Sequence, residues 1–520
     1  MAVELADKGR FRWKAAAIIV ALYLVFLSAL HNRQWIESYI AAYLTGPLTI
    51  IALLAVLIWF GFFSGLSRRT RIITILAFVG FVGGAVLAAI ATTRVEGTYS
   101  GVGVPRLVWK WSPRAGEGIG PLPSVTGDLH ESVDLSTTPQ DFPEFLGPGR
   151  HNAIAGIGLS RDWSHPPRQL WRQAIGLGWS SFAVVGNWAV TQEQRGSNEM
   201  VVCYDVTSGR PCWEHTHENT RFSEWQGGDG PRATPTISGG RVYVMGATGI
   251  LDCLDGATGK AIWSRNVLAD TNTGNLTYGK SCSPLVAGDL VIVTGGRGGP
   301  SLLAYHIADG SPAWTGGDET PGFASPVLAT IAGVPQVLTI NADSATAHAS
   351  ADGHVLWRFN WPGSMPKDIQ PVALEPDRVL LSAGYGLGTL VLREQLDGSL
   401  LSIHTIWANR YLKPKLSNVT IHGGHVYGLD DGILTCLDLP TGKRMWRGDE
   451  YGFGQLLAVD DLLLIQSESG DVALVAAVPD GFHEIGRFAA LTGKTWQGPA
   501  LSGHRLLVRN DHEAACYELP

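Results

Sequence analysis

The chain is poor in charge and in cysteine for its size: Asp, Glu, Lys and Arg make up 16% of 520 residues, and there are six cysteines. A net charge of −7, with no basic run outside the N-terminal region, gives no sign of a nucleic-acid partner. No Cys-x-x-Cys-His haem attachment motif occurs, and no acidic loop has Ca2+-site spacing. The Gly-rich run Gly295–Gly299 has neither a following helix nor a Lys-Ser/Thr pair, which makes it a poor phosphate loop. Apolar runs long enough for a bilayer are confined to the N-terminus. They cover about Ala15 to Leu30, Ile40 to Gly65 and Ile72 to Ala91, and read as three transmembrane helices, the first retained rather than cleaved.

Glycine, by contrast, is abundant, at 64 residues. An Asp-x-x-Thr-Gly-Lys-x-x-Trp phrase stands at Asp255–Trp263 and again at Asp438–Trp446. Its turn glycine recurs at Gly209, Gly259, Gly310, Gly353, Gly398, Gly442 and Gly481. Spacings of this size belong to a β-propeller with one blade per repeat. Glu513–Pro520 matches the third strand of a blade but lacks a following turn, whereas Gln169–Gln173 carries a Trp with no turn before it. Pairing these two pieces closes the ring. The expected fold is therefore all-β: an eight-bladed propeller at 141–520, closed by N- and C-terminal strands, preceded by a three-helix membrane anchor at 1–92 and a Gly/Pro/Ser-rich linker at 93–140.

Trp213, Trp263, Trp314, Trp357 and Trp446 recur after the turn, and with Trp171 they read as packing plugs between neighbouring blades. Blades five and seven are expected to lack one, with Ser402 and Ile485 in its place. Cys203, Cys253, Cys436 and Cys516 share one repeat position with Ala304, Ala347, Leu392 and Val475, a small buried site. Cys212 and Cys282 lie off that register, and the sequence leaves their pairing open. His215 and His217 could supply two metal ligands, but no third ligand is indicated. They read as a solvated loop pair, and no metal site is assigned. Asp430-Asp431 and Asp460-Asp461 read as turn residues.

Lys8, Arg10, Arg12 and Lys14 precede the first apolar run, and Arg68, Arg69 and Arg71 separate the second from the third. The positive-inside rule then puts the N-terminus in the cytoplasm and the propeller outside an inner membrane. Aligning the blades on the strand that follows each linking loop gives an expected funnel rim. It carries Trp179, Arg232, Phe323, Asp368, Phe453 and Trp496, with Lys280, Lys367 and Lys415 one residue earlier and Trp225 on a long linking loop. Such a rim suits an anionic or aromatic ligand, or a peptide partner.

Cys253–Trp263 resembles the tryptophan-docking motif of the pyrroloquinoline quinone (PQQ)-like eight-bladed propeller superfamily, and the likeness extends over about Asp141 to Pro520. Phe145–Arg150 with Trp163 and Leu170–Arg172 resembles the lead-in of bacterial PQQ-like repeat proteins. The resemblance implies one of two roles. One is a non-catalytic scaffold of the cell envelope that binds a protein or small molecule. The other is a membrane quinoprotein dehydrogenase that oxidises an alcohol or sugar with PQQ and Ca2+. The vicinal Cys-Cys pair common in the alcohol-oxidising branch is missing here, and the blades are close to minimal length, which favours the scaffold. No catalytic residue is assigned.

Overall fold

The structure is a computed structural model that describes residues 13–32, 36–99, 104–112, 122, 135–363, 365–398 and 400–520. Lys8, Arg10, Arg12 and most of the expected linker lie outside them. The chain divides into two compact units, residues 1–112 together with 225–227, and the remainder to Pro520.

The first unit holds helices Lys14–Leu30, Ser38–Phe63 and Arg68–Thr92. Only the second and third are long and apolar enough to cross a membrane; the first, at 17 residues, falls short, so three spans reduce to two. The physical reason is length: at a rise of about 1.5 Å per residue, 17 residues cover about 26 Å of a hydrocarbon core about 30 Å thick. Ser67 caps the third helix, its Oγ accepting from Thr70 N–H at 3.2 Å. Residues expected to form an irregular linker instead begin with a hairpin, Thr93–Tyr99 paired with Val104–Trp109.

The second unit is a ring of eight sheets, each with four strands in antiparallel order. Blade 1 is Ala183–Val185, Trp188–Arg195, Asn198–Asp205 and Pro211–His217; blade 2 is Thr236–Ser238, Arg241–Met245, Ile250–Asp255 and Ala261–Asn266. Blades 3 to 7 repeat that order, with inner strands beginning at Leu285, Val327, Val372, Thr420 and Gln455. Blade 8 joins the three C-terminal strands, Ala500–Ser502, Arg505–Arg509 and Glu513–Glu518, to Arg168–Ala174, with Trp171 opposite Cys516. Both ends of the ring are thus locked into one sheet, and no sheet edge is left at the closure.

Blade 2 shows the internal logic of a regular blade. In blade 2 the Asp255 side chain accepts from Thr258 N–H at 2.9 Å and its hydroxyl at 2.7 Å, which shapes the turn, and Gly259 adopts φ +69°. A bulge follows the Cys253–Trp263 pair, tilting the Trp toward the next blade. Its indole donates to Ile307 O of blade 3 at 3.0 Å. Trp171, Trp213 and Trp446 reach Val206, Gly256 and Val478 in the same way. The small residue directly across the ladder, Cys203, Cys253, Ala304, Ala347, Cys436 or Cys516, leaves room for the ring. All six cysteines are free and buried, and Cys212 and Cys282 sit in different core clusters.

Blade 5 departs from the expectation. Its third and fourth strands, Gly388–Asp397 and Leu400–Asn409, extend well beyond the usual length. The docking Trp is therefore not missing but displaced: Trp407 stands opposite Val391, donates to Leu439 O at 2.9 Å and packs on Gly442. Ser402 lies farther out, near the hairpin end. The neighbouring Trp357, without a turn glycine to cover, donates instead to Gln336 Oε1 at 3.0 Å and Glu394 Oε2 at 3.1 Å.

Candidate functional site

Blade-entry positions, Ser281 and Leu416 among them, contact one another or the residues beside them from blade to blade. Trp179 N–H donates to Pro231 O at 2.7 Å, Ser281 Oγ to Phe323 O at 3.1 Å and Phe323 N–H to Lys367 O at 2.8 Å. Leu416 N–H donates to Asp368 Oδ2 at 3.2 Å, and Gln455 Nε2 bridges Leu416 O and Trp496 O. The ring closes where Trp496 packs against Trp179 with centroids 4.9 Å apart. Lys494 stands over both rings, 4.0 Å from the Trp496 centroid and 4.9 Å from that of Trp179. Trp179, Arg232, Phe323, Asp368 and Trp496 keep partial exposure, whereas Phe453 is buried. Trp225 is exposed but groups with the first unit, outside the ring.

The expected cationic rim is not there. Lys280, Lys367 and Lys415 are fully buried. Strand geometry explains it, because side chains alternate across an extended backbone and the residue before a channel-facing one points into the blade. Lys280 Nζ donates to Thr294 O at 2.7 Å, Thr294 Oγ1 at 2.9 Å and Gly295 O, so its three protons are used. Lys367 donates to Ala342 O, and Lys415 pairs with Asp431 at 2.5 Å. Burial lowers the pKa of both Lys280 and Lys367. Arg232, its guanidinium over Phe222 and bonded to Gly228 O and Gly230 O at 3.0 Å, is brought down to about 10 by burial. Asp430 and Asp431 are accordingly more than turn residues, since Asp430 holds Lys413 at 2.6 Å. Asp368 is pushed up to about 6 by the same loss of solvent.

The lead-in segment occupies the axis below this ring and touches every blade. Phe142 pairs with Val184 of blade 1, and Pro143 O accepts from Ile237 N–H of blade 2. The buried Arg150 guanidinium donates to Ser283 O at 3.2 Å and to Pro284 O in blade 3, and to Pro326 O of blade 4 at 3.0 Å, with Glu144 at 2.8 Å. Gln370, entering blade 5, donates to Arg150 O at 2.9 Å, and Thr420 of blade 6 to Asn152 O at 2.8 Å. Ala153–Ile154 adds a fifth, parallel strand to blade 7, and Ser502 of blade 8 binds Asp141 at 3.2 Å. The path demands left-handed backbone at Leu146, Gly147, Gly149, Arg150 and Asn152. Arg150 was legible in the sequence only as part of a familiar phrase, since its contacts lie up to 176 residues away.

A second cluster lies away from the axis. His215 and His217 are on the outer strand of blade 1, not in a loop, and Asp252 of blade 2 stands with them, the third member that the spacing alone did not supply. The Asp252 carboxylate raises His217, burial lowers His215, and the neighbouring buried Glu199 is pushed up to about 7. A signal for Asp252 did exist: equivalent positions in the other blades carry Val202, Leu303, Thr346, Val391, Thr435, Leu474 and Ala515.

The repeat family described as outer membrane protein assembly factor BamB (PQQ_2) matches residues 165–274, 197–447 and 334–478. The chain belongs to this family. Two curated relatives agree, each covering less than half of the chain. A quinohemoprotein alcohol dehydrogenase from Comamonas testosteroni is 25% identical over 269 residues, 46% of this chain and 34% of that protein. BamB of Moranella endobia (strain PCIT) is 24% identical over 258 residues, 47% of this chain and 64% of its own length. The match thus spans under two thirds of either relative. Among solved structures, BamB from Moraxella catarrhalis superposes with a TM-score of 0.50 at 16% identity, over 68% of this chain and 98% of that one. The Comamonas testosteroni dehydrogenase gives 0.52 at 12%, over 74% and 81%. At these identities the structures establish the fold.

PQQ with Ca2+ would have to draw its oxygen ligands from the carboxylates beside the ring, Asp368, Glu468 and Asp431 among them. Ca2+ takes six to eight oxygen ligands, usually including carboxylates. The carboxylates beside the ring are already bonded: Asp368 to Leu416 N–H, Glu468 to Trp496 Nε1 at 3.0 Å and Phe453 N–H at 3.1 Å, Asp431 to Lys415.

Proposed function

We propose that this BamB-type chain is a membrane-anchored scaffold of the cell envelope that presents the ring-bearing end of its propeller to a protein partner. The observation that carries this reading is a partly exposed aromatic ring, Trp179, Phe323 and Trp496 with Lys494 above it, over an axis filled from below by Arg150. A filled axis makes a docking surface rather than a conduit, and Trp with a cation is the composition of interface anchors. Two long apolar helices support the anchor. The side on which the propeller lies depends on Arg68, Arg69 and Arg71 between those two helices, and not on the short first helix. Held in the cytoplasm by the positive-inside rule, they send the chain after Thr92 outward across an inner membrane.

The test is co-purification of the full-length protein from detergent-solubilised envelopes after crosslinking. Trp179→Ala with Trp496→Ala is expected to lose the partner while the fold survives; loss on changing the opposite, turn-bearing end instead would reject this choice of face. Calorimetric titration with PQQ in the presence and absence of Ca2+ separates the dehydrogenase alternative. Tight Ca2+-dependent binding would sink the scaffold reading.

A further inference from the structure

The His215, His217 and Asp252 cluster carries an inference independent of the axial ring. His215 and His217 alternate along one strand and so share a face, lying across the ladder from Val201 and Glu199. Asp252, from the facing blade, is 1% exposed. One donor atom from each of the three residues lies within 4.8 Å of the others.

A simple ion pair does not account for this arrangement. His217 Nε2 and Asp252 Oδ2 are 2.5 Å apart, which satisfies those two atoms. It leaves Asp252 Oδ1 and His215 Nε2 buried with no hydrogen-bond partner. Orphaned buried polar atoms are rare in native proteins, because each forgoes its hydration without a replacement bond. Two of them in one three-residue cluster, both on metal-ligating side chains, call for a common partner that accepts lone pairs from imidazole and carboxylate together.

We propose that His215, His217 and Asp252 bind one zinc-class divalent cation that ties the outer strand of blade 1 to blade 2. Two imidazoles and a carboxylate form a borderline nitrogen and oxygen set that suits Zn2+ better than a hard cation such as Ca2+ or Mg2+. Tetrahedral ligands at 2.0–2.1 Å from the metal lie about 3.3 Å apart, so rotations of the two rings, now edge to face with centroids at 4.9 Å, bring the set together. The cation would replace the shared proton between His217 and Asp252 and engage both orphaned atoms. Glu199 stands across the ladder from His217 and is itself fixed by Ala247 N–H at 3.1 Å and the Thr248 hydroxyl at 3.4 Å. The half-buried imidazoles leave the fourth position to water or to an oxygen donor of a partner.

The experiment uses tag-free, full-length protein in detergent, loaded with Zn2+ and dialysed against a chromophoric chelator. Retention of one equivalent is expected, with affinity lowered at least about tenfold in His215→Gln, in His217→Gln and in Asp252→Asn. Equal zinc retention in wild type and folded variants would overturn the site, as would failure of the wild type to hold zinc against the chelator. Because a variant could fail to fold, X-ray absorption of the zinc-loaded wild type provides a second reading. Two imidazole nitrogens with oxygen at about 2.0 Å support the proposal, and sulfur or oxygen-only coordination refutes it.

Discussion

Trp213 of blade 1 lies flat against Gly259 of blade 2, so close that a Cβ on the glycine would come within 2.4 Å of the indole. Gly209 with Trp171, Gly310 with Trp263, Gly353 with Trp314 and Gly442 with Trp407 repeat the contact. The turn glycine therefore has two reasons to be glycine: a left-handed backbone and the ring above it. Gly259→Ala is expected to cost about 2–4 kcal/mol, combining strained backbone with overpacking. Gly398→Ala, where nothing lies within 4 Å, meets only the backbone term of about 1–2 kcal/mol. Urea unfolding of the two variants measures the difference, and equal costs would remove the packing argument.

Blade 5 gives a paired test. Trp407→Ala is expected to destabilise by about 3–5 kcal/mol, the range for truncating a large aromatic in a packed site. Ser402→Ala, whose hydroxyl makes one exposed bond to Gln395 O, is expected to stay within about 0.5 kcal/mol. The reverse order in thermal melts would return the docking role to position 402.

Arg150→Met removes donors from carbonyls of blades 3 and 4 and strips Glu144 of its cation. The expected cost is about 3 kcal/mol or more, as for a buried pair broken on one side. Hydrogen exchange checks where the loss falls: amides of residues 142–154 should lose protection before the outer strands of the blades. Uniform loss around the ring would argue against a plug.

Asp368 provides a pH dependence. Its carboxyl, raised by burial from 3.8 to about 6, holds a proton in the folded protein over a range in which the unfolded chain has lost it. Stability should thus fall as pH rises from about 4 to about 6, and stay lower above that. Asp368→Asn keeps an oxygen acceptor for Leu416 N–H and needs no charge. It is expected to melt higher than wild type at pH 7.5 and together with it below pH 4; a constant difference across pH would exclude Asp368 as the source.

How much was legible follows from the range of each interaction. The turn glycines and Asp255 with Thr258 act within a few residues and the Trp recurs at a fixed offset from them, so their spacing announced eight blades and their closure by Arg168–Ala174. The ring positions were readable too, because each repeats at a fixed offset. What the offset did not carry was direction. Lys280, Lys367 and Lys415 stand one residue from the channel-facing position, and the two-residue period of a strand turns them inward. Trp407 was hidden by the lengthened hairpin, which moves the docking ring five residues past Ser402. The first helix read as a span by composition and fell short by length.

The sequence by itself determined the repeat, the ring and its closure, because local turn chemistry and alternation dictate a blade whatever surrounds it. Only the tertiary structure decided which side chains meet across blades: Arg150 on the axis, Asp252 beside His215 and His217, Glu468 under Trp496. Those contacts join residues from 28 to 176 positions apart, and closing a ring of eight sheets is what brings them within reach.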